Sequence, residues 1–96
     1  MKTLPISVDE QRLVRTMQLL GDPTRFKMFK LLAQHKEYCV SEIASQLNIS
    51  PSAVSQHFRN FEMLGLVEKE RNGQKICYVL HDEDSLVDEL KQLTNL

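Results

Sequence analysis

The sequence predicts a mainly α-helical α+β fold, five helices and a small β-hairpin in one domain, and three observations lead there. Apolar residues recur at helical spacing in five separate stretches. Two starts, Asp22-Pro23 and Ser50-Pro51, put a capping oxygen before a proline, where a first helical turn has no use for an N–H. From Leu66 to Leu80 the period drops to two around Asn72-Gly73, a pair whose residues tolerate positive φ.

Each element follows in order. Residues 9–20 carry Leu13, Met17 and Leu20 on one helical face, with acids leading at the positive end of the helix. Gly21 breaks that helix, and a second runs from Pro23 to about His35. Its face of Phe26, Phe29, Leu32 and Ala33 is widened by Met28 and Leu31, which makes it the most buried helix. Tyr38-Cys39-Val40 is a short β-prone stretch, after which Ser41 can cap a third helix through Ile43, Ala44 and Leu47. Asn48-Ile49-Ser50 forms a tight turn into a fourth helix with Val54, Phe58 and Phe61 on one side, stopped near Leu64 by Gly65. With Asn72-Gly73 as a two-residue loop, the hairpin sets Glu70 opposite Lys75, Glu68 opposite Cys77 and Val67 opposite Tyr78. A fifth helix, about 84–94, places Leu86, Val87, Leu90 and Leu93 on one face.

Composition bounds the function. Ninety-six residues suit one hydrophobic core, and 42% apolar against 26% charged residues is a globular balance. No apolar run approaches the roughly 20 residues of a membrane span, and Met1 to Val8 lacks the apolar block of a signal peptide, so the cytoplasm is the expected location. Net charge is −1, but it is unevenly spread. Residues 1–80 hold eleven Lys and Arg against eight acids, and residues 81–96 hold five acids against Lys91. A locally basic surface can therefore still meet phosphate. His35, His57 and His81 sit on separate elements, and three glycines form neither a nucleophile elbow nor a phosphate loop, so no enzyme is expected.

Two helices joined by a tight capped turn and followed by a hairpin make a winged helix-turn-helix, spanning about 41–64 with a wing at about 66–80. The stretches LGDPTRFKMFKLL (20–32), EYCVSEIASQLNISPSAVSQHF (37–58) and LGLVEKERNGQKICYVL (64–80) resemble the ArsR/SmtB family of repressors. The resemblance implies a homodimeric transcriptional repressor that binds an operator palindrome in double-stranded DNA and leaves it when an inducer binds. It implies dimerisation through the first and last helices, where Leu13, Met17, Leu86, Leu90 and Leu93 offer apolar surface. Those residues could equally cover one chain's core.

Candidate DNA contacts are Ser50, Ser52, Ser55, Gln56, His57 and Arg59 on or before the fourth helix. Short polar residues allow close approach, Gln56 can pair with adenine, and Arg59 can take guanine or phosphate. His57 is balanced between DNA and a neighbouring helix. At the wing, Arg71, Asn72 and Lys75, with Lys69 behind them, suit minor groove or phosphate, or a charged edge that discourages strand pairing. An apolar outer face on the fourth helix would instead indicate a winged helix for protein contact.

The family's metal sites are poorly matched. Cys39-Val40-Ser41 keeps one cysteine of a CxC, and Asp82-Glu83-Asp84 has Asp where an acid-x-His pair has His. Cys39, Asp82 and Asp84 are weak metal candidates, and no metal or cofactor is expected. Strand alternation suggests something else. If the short strand at Tyr38 pairs with the hairpin's second arm, Cys39 and Cys77 share a face within disulfide reach, a candidate thiol switch or two inert small side chains.

Overall fold

The computed structural model describes residues 3–35 and 37–96. Its order is α1 (Val8–Leu20), α2 (Pro23–Gln34), β1 (Tyr38–Cys39), α3 (Val40–Leu47), α4 (Pro51–Met63), β2 (Val67–Asn72), β3 (Lys75–Leu80) and α5 (Ser85–Leu93). This is the five-helix, one-wing arrangement anticipated from the periodicities, with a third short strand joining the hairpin in the order β1-β3-β2, all antiparallel.

Caps explain most boundaries. Ser7 and Glu10 exchange backbone and side-chain bonds of 2.9 and 3.1 Å, so α1 opens on a capping box. Asp22 and Ser50 accept from the N–H groups of Arg25 and Ala53 at 3.0 Å each, as their placement before proline requires. The expected Ser41 cap is displaced. α3 already begins at Val40, with Cys39 in the capping position and its N–H donating to Glu42 Oε1 at 2.9 Å. The acid at the third helical position holds the chain there before Ser41 is reached.

The core forms where α2, α3 and α4 meet the sheet. Met28, Phe29, Ile43, Val54, Phe58, Phe61, Leu66 and Val87 are fully buried. Phe58 stacks on Tyr78 with ring centroids 4.2 Å apart, which fixes the root of the wing against α4. α1 contributes little to this core. It buries only Thr16 and Leu19, while Leu13, Val14 and Met17 face outward.

The hairpin register differs from the expected one. Asn72 pairs with Lys75, so the loop is Gly73-Gln74 and Glu70 faces Cys77, Glu68 faces Val79 and Val67 faces Leu80. Gly73 has φ 65°, whereas Asn72 keeps ordinary strand backbone, so glycine alone supplies the positive φ the turn needs. The pairing slides by two residues, and a slide of two leaves every side chain on the face that alternation gave it. Val67, Tyr78 and Leu80 therefore still point into the core.

Candidate nucleic-acid interface

α4 is two-sided. Val54, Phe58 and Phe61 are fully buried, and the opposite side carries Ser52, Gln56 and Arg59 exposed with Ser55 half-buried. Pro51, Ser52, Ser55, Gln56 and Arg59 line one shallow depression, so four of the six side chains singled out on this segment are gathered in one place. None of the four donates or accepts a side-chain hydrogen bond recorded among the described residues, which leaves their polar groups available to a partner.

The other two stand apart. The Ser50 hydroxyl oxygen accepts from the Ala53 N–H as the α4 cap, and its own O–H can still donate. His57 is half-buried and does not line the depression.

At the wing, Lys69, Arg71 and Lys75 are exposed. Asn72 is exposed as well, but its side chain is engaged within the chain. Its amide donates to Glu37 Oε1 at 3.1 Å and lies 3.9 Å from the Cys77 sulfur, so it ties the wing to the start of β1. The acids Glu37, Glu68 and Glu70 crowd the opposite face of the wing. Glu70 is held above the ordinary carboxylate range, first by its side-chain bond to Glu37 and then by burial and the neighbouring negative charges. The wing is thus basic at its tip and acidic behind.

A second groove runs between α4 and the wing, lined by Cys39, Val40, Ser41, Pro51, Ser55, Gln74, Lys75 and Ile76. Cys39 and Cys77 are cross-strand partners, their Cα atoms 3.7 Å apart, and their sulfurs are joined in a disulfide. Tyr38 and Tyr78, one residue away on each strand, point to the hydrophobic core, so the bond lies on the reverse face of the sheet as alternation anticipates. Glu37 brings a carboxylate oxygen within 4.8 Å of both sulfurs. With the sulfurs bonded to each other, neither is a thiolate ligand.

Other weak metal candidates are already engaged. Asp82 pairs with Lys91 at 3.0 Å, and Asp84 caps α5 while receiving Arg12 from α1. The carboxyl of Asp84 is accordingly held below its ordinary value, first by the Arg12 hydrogen bond and then by the N–H groups of Val87 and Leu86. The Arg12 clamp was not visible in local pattern, because its partner lies 72 residues away.

On α1 and α5 the outward apolar side chains form an uncovered surface. Leu13 is 40%, Met17 55% and Leu93 71% exposed, while Leu86 and Leu90 are half-buried and Leu90 packs on the core. Among the described residues no helix is long and apolar enough to cross a membrane.

Comparison with known proteins places these features in a group. Residues 22–69 match the family model described as bacterial regulatory protein, arsR family. The arsenic resistance transcriptional regulator ArsR1 of Pseudomonas putida is 36% identical over 67% of this chain and 50% of its own length. The chain spans about half the length of the curated relatives it matches first. HlyU from Vibrio cholerae superposes with a TM-score of 0.79 at 25% identity, covering 92% of each chain. The homodimeric winged helix-turn-helix DNA-binding domain Mb0332 from Mycobacterium bovis superposes at 0.74 with 26% identity, over 86% of this chain and 74% of that one.

Proposed function

This chain belongs to the arsR family of bacterial regulatory proteins, and from that premise we infer that it is a transcriptional regulator, a repressor, binding an operator in double-stranded DNA as a homodimer. The observation that carries the inference is the outer face of α4. Ser52, Ser55, Gln56 and Arg59 share one depression, opposite three fully buried apolar residues, and their side chains have no hydrogen-bond partner among the described residues. A helix presented in this way fits the major groove, with Gln56 reading a base edge, Arg59 meeting a phosphate and the smaller serines admitting close approach. Arg71 and Lys75 at the wing tip reach phosphates or the adjoining minor groove, and Ser50 donates to a phosphate from the helix start.

The homodimer reading rests on the uncovered stripe of α1 and on Leu93 of α5. Two copies paired through these helices offer two recognition helices, and an operator palindrome mirrors that two-fold symmetry. An apolar α4 face would favour a protein-contact module, and this face is polar.

The test is binding of a fluorescent duplex, taken from the DNA immediately upstream of this chain's coding sequence, across a salt series. If Arg59, Arg71 and Lys75 of both copies each neutralise a phosphate, the plot of log affinity against log salt has a slope of about −5. Binding that is flat in salt, or absent even at low salt, overturns the reading.

A further inference from the structure

We propose that Cys39 and Cys77 form a reversible regulatory disulfide, exchanged with low-molecular-weight thiols, whose oxidised state holds the wing and the helix-turn-helix in the arrangement that binds DNA more tightly. The proposal rests on the DNA-binding reading above and adds its regulation.

Three features support it. First, the bond joins functional parts: Cys39 caps α3, the first helix of the helix-turn-helix, and Cys77 lies in β3, the returning strand of the wing. Without the bond, β1 is attached to β3 by only two residue pairs. Second, the parts it joins carry the candidate contacts. Ser55 and Lys75, from α4 and the wing, line the same groove as Cys39, so fixing α3 against β3 fixes the spacing across that groove. Ordering the surface before DNA arrives lowers the entropic cost of binding. Third, the two residues differ in access. Cys39 is 8% exposed and lines the groove, whereas Cys77 is 0% exposed.

Access decides the direction of exchange. A thiolate RS⁻ entering the groove attacks Cys39 Sγ, an R–S–S–Cys39 bond forms, the Cys39–Cys77 bond breaks, and its electron pair leaves on Cys77 Sγ, which takes a proton. A second RS⁻ attacks the R sulfur of the mixed disulfide and releases Cys39 as a thiolate, which also takes a proton. The net reaction consumes two RSH and yields RSSR and two protein thiols, a transfer of two electrons and two protons. Excess RSSR drives the same steps backward and closes the bond.

Thermodynamic linkage turns this into two measurements of one number. If the oxidised protein binds DNA tighter by some factor, DNA makes the disulfide harder to reduce by the same factor. The expected coupling is at least about five-fold, which lowers the midpoint potential of the bound protein by about 20 mV.

The experiment poises the whole chain in reduced and oxidised glutathione mixtures, counts thiols by alkylation and mass spectrometry with and without the upstream duplex, and reads duplex affinity by anisotropy at each poise. The expected result is a two-electron titration, tighter binding at the oxidised end, and a matching shift of the midpoint when DNA is present. The double variant Cys39→Ala with Cys77→Ala, checked for folding by circular dichroism, is expected to keep the reduced protein's affinity at every poise; Cys39→Ser provides a second, milder variant. Equal affinities at both ends, tighter binding of the reduced form, no closure of the bond at the oxidised end, or an unchanged response in a folded double variant each overturn the proposal. Absence of duplex binding at both ends and at low salt removes the DNA reading itself, and the proposed regulation with it; equal binding at both ends removes only the regulation.

Discussion

Arg12 of α1 grips Asp84 of α5 at two points, Nη2 to Oδ2 at 2.9 Å and Nη1 to Oδ1 at 3.3 Å. The same guanidinium donates from Nε to the Leu64 carbonyl at 2.8 Å, at the end of α4. One side chain thereby fastens both outer helices to the end of the recognition helix. Asp84 is also the cap of α5, accepting from Leu86 at 2.9 Å and Val87 at 3.3 Å, so the carboxylate serves two neighbours at once.

Asp84→Asn keeps an acceptor for the cap and removes the charge. Both partners retain a quarter or more of their side-chain exposure, so solvent discounts the pair, and the variant is expected to lose about 0.5–1 kcal/mol in urea unfolding. Asp84→Ala loses the cap as well and is expected to cost about 1–2 kcal/mol. The sign of the pH dependence follows from the lowered carboxyl pKa: the unfolded chain holds the proton more tightly, so the contribution is full above the ordinary value of 3.8 and is lost as pH falls through the lower folded value. The difference in stability between the natural chain and Asp84→Asn should be constant near neutrality and shrink below about pH 4. A gap that persists unchanged into strong acid would mean the Arg12 pair contributes nothing.

Arg59→Ala and Gln56→Ala address the α4 surface. Both side chains are exposed and bear no weight of the core, so neither variant should change unfolding by more than about 0.5 kcal/mol. On DNA the two should separate. Gln56→Ala is expected to cost about 1–3 kcal/mol on one sequence and little on another, as loss of a base contact does, whereas loss of a phosphate contact lowers affinity on every sequence and flattens the salt slope by about one unit per site. Competition between the upstream duplex and scrambled duplexes distinguishes these outcomes for each residue.

The turn of the wing supplies a prediction about register. Gly73 is at positive φ with open space around its α-carbon, so Gly73→Ala meets no neighbour and its cost is conformational alone, about 1 kcal/mol. Asn72 has strand backbone, so Asn72→Ala should cost only its exposed hydrogen bond to Glu37, about 0.5 kcal/mol. Were Asn72 the first turn residue, the two substitutions would cost alike. Equilibrium denaturation of both variants decides it.

This turn also marks where sequence reasoning stopped. Local chemistry was legible: Ser50-Pro51 and Asp22-Pro23 start helices where a cap followed by proline must, and the spacing of Val54, Phe58 and Phe61 identifies the buried side of α4 and hence its polar side. Alternation also put Cys39 and Cys77 on one face. What depended on choosing between near-equal local options was missed by a residue or two. Asn-Gly can occupy either of two loop positions, and the Glu42 bond to the Cys39 N–H outcompetes a start at Ser41. What depended on long-range partners was invisible, because nothing near Arg12 in the chain announces Asp84. The stripe of α1 was read correctly as apolar, but periodicity cannot say whether a stripe faces its own core or another molecule. Only the position of Thr16 and Leu19 under the helix reveals that Leu13 and Met17 face away.

That outward stripe yields the last prediction. Met17 is 55% exposed in the single chain, and an isolated chain should accept a polar residue there at little cost. In a two-fold interface every substitution appears twice, and paired carboxylates brought together without cations are desolvated and repel. Met17→Glu should therefore leave the helical circular dichroism spectrum unchanged at micromolar concentration while moving the sedimentation coefficient from dimer to monomer. Affinity for a duplex with both half-sites should fall by more than about ten-fold, since the second half-site no longer benefits from the high effective concentration that a linked copy provides. Affinity for a duplex with one half-site should change far less. Equal losses on both duplexes would point instead to damage at α4, and an unchanged sedimentation coefficient would take the α1 stripe out of the interface.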